Sequence, residues 1–213
     1  MKRMVALLLA MTLAFSCMPA TALEMKYHSY LLDADVILPD TLEVIAEYPA
    51  TSGDGYILFF SMPETGTQIT STLQYVPEFI GMQTKDLPKS EIDGWKEFFI
   101  EQYPNRAKSM MIKPQYGSSS KFYRFYGQNE RGSWMLSYSA VRDGLYVCTS
   151  CETGQFGFKR NEMQMIFEAF NASLELFAKN RGVSFVRFSP EDYEVEIFNL
   201  LYDDSPNSYF NTF

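Results

Sequence analysis

Residues 121–151 read KFYRFYGQNERGSWMLSYSAVRDGLYVCTSC, and they carry the clearest structural signal in the chain. Three segments, Phe122 to Gln128, Ser133 to Val141 and Leu145 to Ser150, are rich in aromatic and β-branched residues. Such residues suit a pleated, half-buried surface, so the segments predict β-strands. Asp143-Gly144 predicts a type I′ hairpin turn, because both central positions of that turn need positive φ. The stretch therefore predicts an antiparallel meander.

The two turns set the register of this meander. The Asp143-Gly144 turn pairs Val141 with Tyr146, and likewise Ala140 with Val147 and Ser139 with Cys148. A two- or four-residue first loop would place Gln128 opposite Ser133, whereas an odd-length loop would move every side chain of the first strand to the other face. The even register predicts a core face of Tyr123, Phe125, Trp134, Leu136, Tyr138, Ala140, Leu145 and Val147, with Gly127 opposite Trp134. It leaves a mixed face of Phe122, Arg124, Tyr126, Met135, Ser137, Ser139, Tyr146 and Cys148.

Residues 1–22 have the pattern of a secretory signal peptide. Lys2 and Arg3 precede an apolar segment, Val5 to Phe15, and Ala20-Thr21-Ala22 offers a small-residue cleavage site. Cleavage between Ala22 and Leu23 would start the mature chain at Leu23. The apolar segment is too short for a transmembrane helix, so we expect no membrane span in the mature chain.

Two other interpretations of the leader stay open. The segment could remain as an uncleaved anchor, or Cys17 could become a lipid-carrying first residue. Phe15 disfavours the lipid anchor, because lipoprotein signals usually place a small residue there.

The chain is acidic, with a formal net charge of −8 that becomes −10 when Lys2 and Arg3 leave with the leader. Nucleic-acid binding is disfavoured, because phosphate contacts need a basic surface. The same charge disfavours anionic lipid headgroups.

Strand and helix signals alternate on both sides of the meander. Further strands are predicted at Lys26–Leu32, Val36–Leu38, Tyr56–Met62, Thr67–Tyr75 and Ser109–Tyr116. Helices are predicted at Ser90–Tyr103, with Ser90 as its cap and an apolar stripe of Ile92, Trp95, Phe99 and Tyr103, and at Asn161–Lys179, ended by Asn180-Arg181-Gly182.

Residues 183–213 form an extension. Val183 to Phe188 alternates like a strand, and Ser189-Pro190-Glu191-Asp192 predicts the start of a helix that runs to about Tyr202. Residues 203–213 are predicted to be disordered. The extension either packs on its own domain or engages a partner.

Cys148-Thr149-Ser150-Cys151 is the most chemically suggestive motif. In a continuing strand the two Cα atoms would be about 10 Å apart, whereas a disulfide needs about 4.4 to 6.8 Å. A bond therefore requires a turn at Thr149-Ser150. Inert thiols, a short-loop disulfide and a redox pair stay open. His28 is the single histidine and lies in a predicted strand with no catalytic motif around it.

The order of elements resembles the PsbP/Mog-like family. The likeness rests on the opening YHSYLLDADVILPDTLEV, in which a strand ends in Leu38-Pro39, and on the closing IFEAFNASLELF. The resemblance implies an α/β/α sandwich, with an antiparallel sheet of about six strands flanked by helices. It implies no catalytic residues, and mostly accessory or binding roles. We expect one α+β domain at residues 23–182.

The leading functional expectation is an exported, non-catalytic binding or accessory module of the cell envelope, with no cofactor and no metal. Its partner would be an unknown protein or another envelope component. One alternative is a redox-active or disulfide-bearing protein that uses Cys148 and Cys151. Another is a secretion-linked interaction protein that acts through the C-terminal extension.

Overall fold

Strands and helices alternate in a computed structural model that describes residues 24–51, 53–113, 121–154 and 156–203. Its strands are β1 (Glu24–Ser29), β2 (Ala34–Pro39), β3 (Glu43–Pro49), β4 (Gly55–Met62), β5 (Thr67–Tyr75), β6 (Asn105–Ile112), β7 (Phe122–Gln128), β8 (Trp134–Arg142) and β9 (Leu145–Thr153). Its helices are α1 (Lys89–Gln102), α2 (Arg160–Arg181) and α3 (Pro190–Asp203), and two short 3₁₀ turns are formed by Pro77–Phe79 and Thr84–Asp86.

Seven strands form one antiparallel sheet in the order β3-β4-β5-β9-β8-β7-β6, and β1 and β2 form a separate hairpin. The predicted α+β class is confirmed, with one strand more in the sheet than expected. The meander β7-β8-β9 is also confirmed, and β9 joins it to β5 along residues 69–75.

The hairpin turn at Asp143-Gly144 is confirmed. Asp143 has φ of 50° and Gly144 of 82°, and Val141 pairs with Tyr146 as predicted. The left-handed backbone at both positions explains why a short polar residue and a glycine stand there.

The first loop of the meander has an odd number of residues, so the register predicted for a two- or four-residue loop is wrong. Asn129 and Ser133 bound a five-residue loop, because the Asn129 side-chain oxygen accepts from the Ser133 N–H at 2.9 Å and the Asn129 N–H donates to the Ser133 carbonyl. Gln128 consequently faces Trp134, and Gly127 faces Met135.

Every side chain of β7 therefore lies on the face of the sheet opposite to the one predicted for it. Phe122, Arg124 and Tyr126 lie in the main core with Leu136 and Tyr138, whereas Tyr123 and Phe125 lie under α1. Gly127 is covered by the Phe125 ring, which an added Cβ would meet at 2.8 Å, and not by an indole.

The main core lies between the sheet and α2. The predicted helix is confirmed, and Gly182 ends it with φ of 67°. At its start, the Glu162 carboxylate accepts from the Lys159 N–H at 2.8 Å. Phe167 contacts Phe122 and Tyr138 edge-on, and Phe170 contacts Phe122 edge-on, so aromatic rings fill the centre of the molecule.

A smaller core lies under α1 on the opposite face. Phe99 stacks on Phe125 at 4.8 Å and Trp95 contacts Tyr146, as the predicted stripe requires. The Ser90 cap is wrong: α1 begins one residue earlier, and Pro88 occupies the cap position without a side-chain hydrogen bond. The following strand, β6, begins at Asn105 and not at Ser109, with a bulge that Arg106 accommodates at φ of 51°.

Residues 183–203 pack against the same domain. The predicted strand at Val183–Phe188 is wrong, because the segment pairs with no described strand. The Asn171 side chain on α2 instead binds both the N–H and the carbonyl of Phe188, at 3.1 and 3.2 Å. The predicted start of α3 is confirmed, since the Ser189 hydroxyl accepts from the Asp192 N–H. Among the described side chains of α3, Tyr193, Ile197 and Leu200 enter the main core.

An ion pair is buried where α3 meets the sheet. Arg124 Nε on β7 lies 3.2 Å from Glu196 Oε1 on α3, and each side chain is 2% exposed. The exchanged face of β7 explains this contact, because it turns Arg124 toward the helices.

Several predictions fall outside the described residues: the signal peptide at 1–22 with its Ala22–Leu23 cleavage site, the lipid alternative at Cys17, the end of the strand predicted at Ser109–Tyr116, and the disorder of 204–213. Within the described part of the chain, no helix is long and apolar enough to cross a membrane.

Candidate functional site

A cleft of about 770 Å³ lies beside the first half of α2. Its walls come from the end of β2, the β4–β5 turn, α2 and the segment that leads into α3. We call it the α2 cleft. Its buried inner surface includes Leu38, Met62, Met165, Phe188 and Tyr193, and its exposed rim includes Glu24, Glu64, Thr65 and Asn161.

Arg187 joins two walls of the α2 cleft. Its guanidinium donates to Glu168 Oε2 at 2.9 Å and to the backbone carbonyl of Ile37 at 3.2 Å. Its Nε also lies 3.6 Å from Glu175 Oε2. The arginine therefore fixes β2 to α2, and its charge is balanced by two carboxylates.

Glu168 also organises the inner surface. The Tyr193 hydroxyl donates to its carboxylate, and the pKa of Tyr193 is raised first by burial and then by the negative charge of Glu168. Glu168 thus accepts from both Arg187 and Tyr193 and holds the start of α3 against α2.

Other polar groups of the inner surface also form hydrogen bonds with residues of the cleft walls. Thr41 Oγ1 donates to the Met165 sulfur at 2.9 Å, and the Ser189 hydroxyl is bonded to Asp192. Among the described lining residues there is no histidine, cysteine or lysine. The arrangement can hold an apolar molecule, but it sets no base beside a nucleophile.

The rim carries negative charge. Glu24 and Glu64 are exposed, and neither forms an ion pair with a described residue. At each helix start near the cleft one backbone N–H is bound by a side-chain oxygen of the chain: Glu162 accepts from the Lys159 N–H just before α2, and Ser189 accepts from the Asp192 N–H in the first turn of α3. These acidic and hydroxyl caps place the chain's own oxygens at the positive ends of both helices.

The cysteines do not form a site together. β9 continues through Thr153, so the turn that a disulfide requires at Thr149-Ser150 is not present, and both thiols are free. Cys148 faces the α1 side, 3.4 Å from the Ser137 hydroxyl. Cys151 is buried in the main core and donates to the Gln68 carbonyl. Burial, followed by Glu162 and Glu152, raises the pKa of Cys151 to about 12.

His28 takes part in a small ion-pair group on the β1–β2 hairpin. Its Nδ1 lies 3.0 Å from Asp35 Oδ1, and Lys26 binds the other oxygen of that carboxylate at 2.9 Å. Hydrogen bonds from Lys26 and then from His28 lower the pKa of Asp35. Among the described residues, no group of three or more histidine, cysteine, aspartate or glutamate side chains could hold a metal ion.

The sequence did not reveal the α2 cleft. Glu64, Glu168 and Arg187 come from three distant segments with no shared motif. The lining residues that carry a sequence signal, such as Leu38-Pro39 and Ser189-Pro190, indicate a strand end and a helix start and not a binding site. A spacing pattern cannot report such a site, since the site depends on how a hairpin and a terminal helix pack on α2.

No family model matches the chain. No curated protein matches it in sequence either. Several solved structures are similar, including the following two. The solution structure of cyanobacterial PsbP from Synechocystis sp. PCC 6803 has a TM-score of 0.38 and 9% identity, covering 73% of this chain and 92% of that one. The PA94 protein of Pseudomonas aeruginosa, described as of unknown function, has a TM-score of 0.28 and 14% identity, covering 62% and 83%. The match to PsbP is the resemblance that the order of elements predicts.

Proposed function

We propose that the chain is an exported, non-catalytic binding module of the cell envelope whose ligand occupies the α2 cleft. The observation that carries the proposal is the cleft itself: a volume of about 770 Å³, a buried apolar inner surface and a polar rim. Clefts that hold small molecules are typically about 300 to 1,000 Å³ and mostly apolar, with a few polar groups that set orientation.

The polar groups of the cleft support binding over catalysis. Catalytic sites usually contain a titratable group placed to move a proton to or from a reacting atom. Here Arg187 and Glu168 are paired with each other, and Tyr193 donates to Glu168. These contacts hold the walls in place and leave the inner surface for a ligand.

Export rests on the leader, in which Lys2 and Arg3 precede an apolar segment and a small-residue site at Ala20–Ala22. Expressing the full chain in a bacterial host, fractionating the cells and sequencing the N-terminus of the product would test this part. We expect an envelope or secreted product that begins at Leu23. A full-length product in the cytoplasm would contradict export without affecting the cleft.

Binding can be tested with the neutral dye N-phenyl-1-naphthylamine, whose fluorescence rises in apolar surroundings. We expect the purified protein to bind the dye at one saturable site. Asn161→Trp on α2 and Thr65→Trp on the β4–β5 turn should each fill the cleft and weaken dye binding about tenfold or more, which corresponds to about 1.4 kcal/mol.

Gln102→Trp is the matched control, because it also replaces an exposed polar residue but lies at the end of α1, outside the cleft. It should bind the dye like the natural chain. Absence of saturable binding, or equal binding by all three variants, would overturn the proposed function.

A further inference from the structure

We propose that the α2 cleft takes a small amphiphile that carries an amine cation; this inference rests on the proposed function and specifies the ligand class. The ligand would place an alkyl or aryl group on the inner surface and an ammonium group at the rim. Four observations support this choice.

The first observation is the sign of the charge around the opening. Three carboxylates line the cleft, those of Glu24, Glu64 and Glu168, and Arg187 is the one lining cation among the described residues. Glu24 and Glu64 are exposed and in no ion pair with a described residue. An ammonium group at the rim would meet attraction from both carboxylates, whereas a carboxylate would be repelled. Glu64 supplies the larger share, because cleavage of the leader would put the α-amino cation of Leu23 next to Glu24 in the chain.

The second observation is that Arg187 is not available to an anion. Glu168 accepts a hydrogen bond from its guanidinium at 2.9 Å, the Ile37 carbonyl accepts a second, and Glu175 Oε2 lies 3.6 Å from its Nε. A ligand carboxylate would have to displace these partners and leave Glu168 without its countercharge. Removing one partner of a partly buried ion pair is costly.

The third observation concerns the two helix N-termini at the cleft. Open helix N-termini attract anions. In α2 the capping position is bound by Glu162, and in α3 Ser189 accepts from Asp192, which is itself an acid of the first turn. Each helix start thus already has an acidic side chain, Glu162 or Asp192, in its first turn, and that negative charge disfavours a phosphate or carboxylate there.

The fourth observation separates an organic cation from a metal ion. A hard divalent cation needs several oxygens that converge within about 2.6 Å of it. No group of three acidic, histidine or cysteine side chains among the described residues is close enough for that. The rim acids are spread around an apolar interior, which suits a cation with an attached apolar group, and the cleft volume suits a small molecule.

The test compares three competitors that share one chain and differ in the head group: octylamine, octanol and octanoate. Each is titrated against bound N-phenyl-1-naphthylamine at neutral pH. We expect octylamine to displace the dye at a concentration about five- to tenfold lower than octanoate, with octanol between them, since exposed charge pairs contribute up to about 1 kcal/mol each. Raising the salt concentration to about 500 mM should reduce the difference between octylamine and octanoate, because salt screens the rim charges.

Charge variants test which carboxylates cause the preference for octylamine. Glu24→Gln with Glu64→Gln should bring octylamine close to octanol and leave octanol displacement unchanged. Glu78→Gln with Glu97→Gln changes the net charge equally, but both residues lie outside the cleft. This control should keep the preference for octylamine. Asn161→Lys adds a cation to the rim and should improve octanoate relative to octylamine.

The outcomes are distinguishable. If octanol fails to displace a bound dye, or no dye binds, the proposed function fails. If octanol competes but octanoate equals or exceeds octylamine, the cation inference alone fails. It also fails if the control pair abolishes the preference as fully as Glu24→Gln with Glu64→Gln, or if a basic apolar peptide competes where octylamine does not.

Discussion

At the scale of single residues, the Arg124–Glu196 pair has the largest expected effect on stability. Both side chains are 2% exposed, so neither charge retains much water. Arg124→Met should leave the Glu196 carboxylate buried without its cation and lower the free energy of unfolding by about 3–5 kcal/mol. Urea denaturation measures this loss.

The double variant Arg124→Met with Glu196→Met is the control. Replacing both charges with apolar groups removes the unpaired ion, so part of the lost stability should return. A single Arg124→Met variant that costs less than about 1 kcal/mol would show that the pair has little role in holding α3.

Cys151 gives a residue-level prediction for pH. The thiolate is the reactive form, and burial raises the pKa of Cys151 to about 12. Iodoacetamide should therefore leave Cys151 unmodified in the folded protein at any pH up to about 9, and modify it once urea unfolds the chain, as read by peptide mass spectrometry. The pKa of Cys151 is higher in the folded protein than in the unfolded chain. Burial of the neutral thiol therefore contributes to the free energy of unfolding below about pH 9, and this contribution is lost as the pH rises toward 12. Rapid modification of native Cys151 would contradict its burial.

At the scale of elements, α3 should behave as part of the domain. Ile197 is 0% exposed and Leu200 2%, whereas Val195 on the same helix is 37% exposed. Ile197→Ala and Leu200→Ala should each lower the free energy of unfolding by about 2–5 kcal/mol. Val195→Ala is the matched control and should change it by less than about 1 kcal/mol.

If all three alanine variants unfold at the same urea concentration, α3 is not integral to the core. The alternative in which the C-terminal extension serves mainly as a ligand for a partner would then gain support over packing on its own domain.

The meander shows how far local sequence determines an element. Asp143-Gly144 specifies its turn chemically, because positive φ at two successive positions favours that pair, and the β8–β9 register followed from it. The loop at Asn129–Ser133 has no such pair. Its length depends on which backbone groups the Asn129 side chain binds, and strand propensity does not report that choice.

Long-range packing produced the other errors. Val183–Phe188 alternates like a strand, yet Asn171 on α2 takes the Phe188 backbone groups. Arg124 was predicted on the mixed face without a partner, and the structure pairs it with Glu196, which lies 72 positions later in the chain. Helix periodicity, in contrast, depends on one buried face, and it located α1 and α2 to within two residues at each end.

At the scale of the whole molecule, the α2 cleft lies between the β1–β2 hairpin and the segment before α3. The hairpin strands pair only with each other among the described strands. Side chains anchor the hairpin instead: Glu47 accepts from the Tyr30 N–H at 2.9 Å, Asn180 donates to the Leu32 carbonyl at 2.8 Å, and Arg187 donates to the Ile37 carbonyl. The hairpin also buries Val36 and Leu38 in the main core, so the protection of this wall depends on side-chain packing and not on hydrogen bonds to the seven-stranded sheet.

A ligand in the cleft should therefore stabilise these two walls selectively. Hydrogen exchange followed by mass spectrometry should show slower exchange in peptides covering residues 34–39 and 187–193 when octylamine is added, and no change in β8, which lies inside the sheet. In Asn161→Trp, whose indole should fill the cleft, the same addition should have no effect. If octylamine slows hydrogen exchange evenly over the sheet, or slows it equally in Asn161→Trp, then octylamine binds elsewhere. The two walls respond together because Arg187 connects them, through Ile37 on one side and Glu168 on the other.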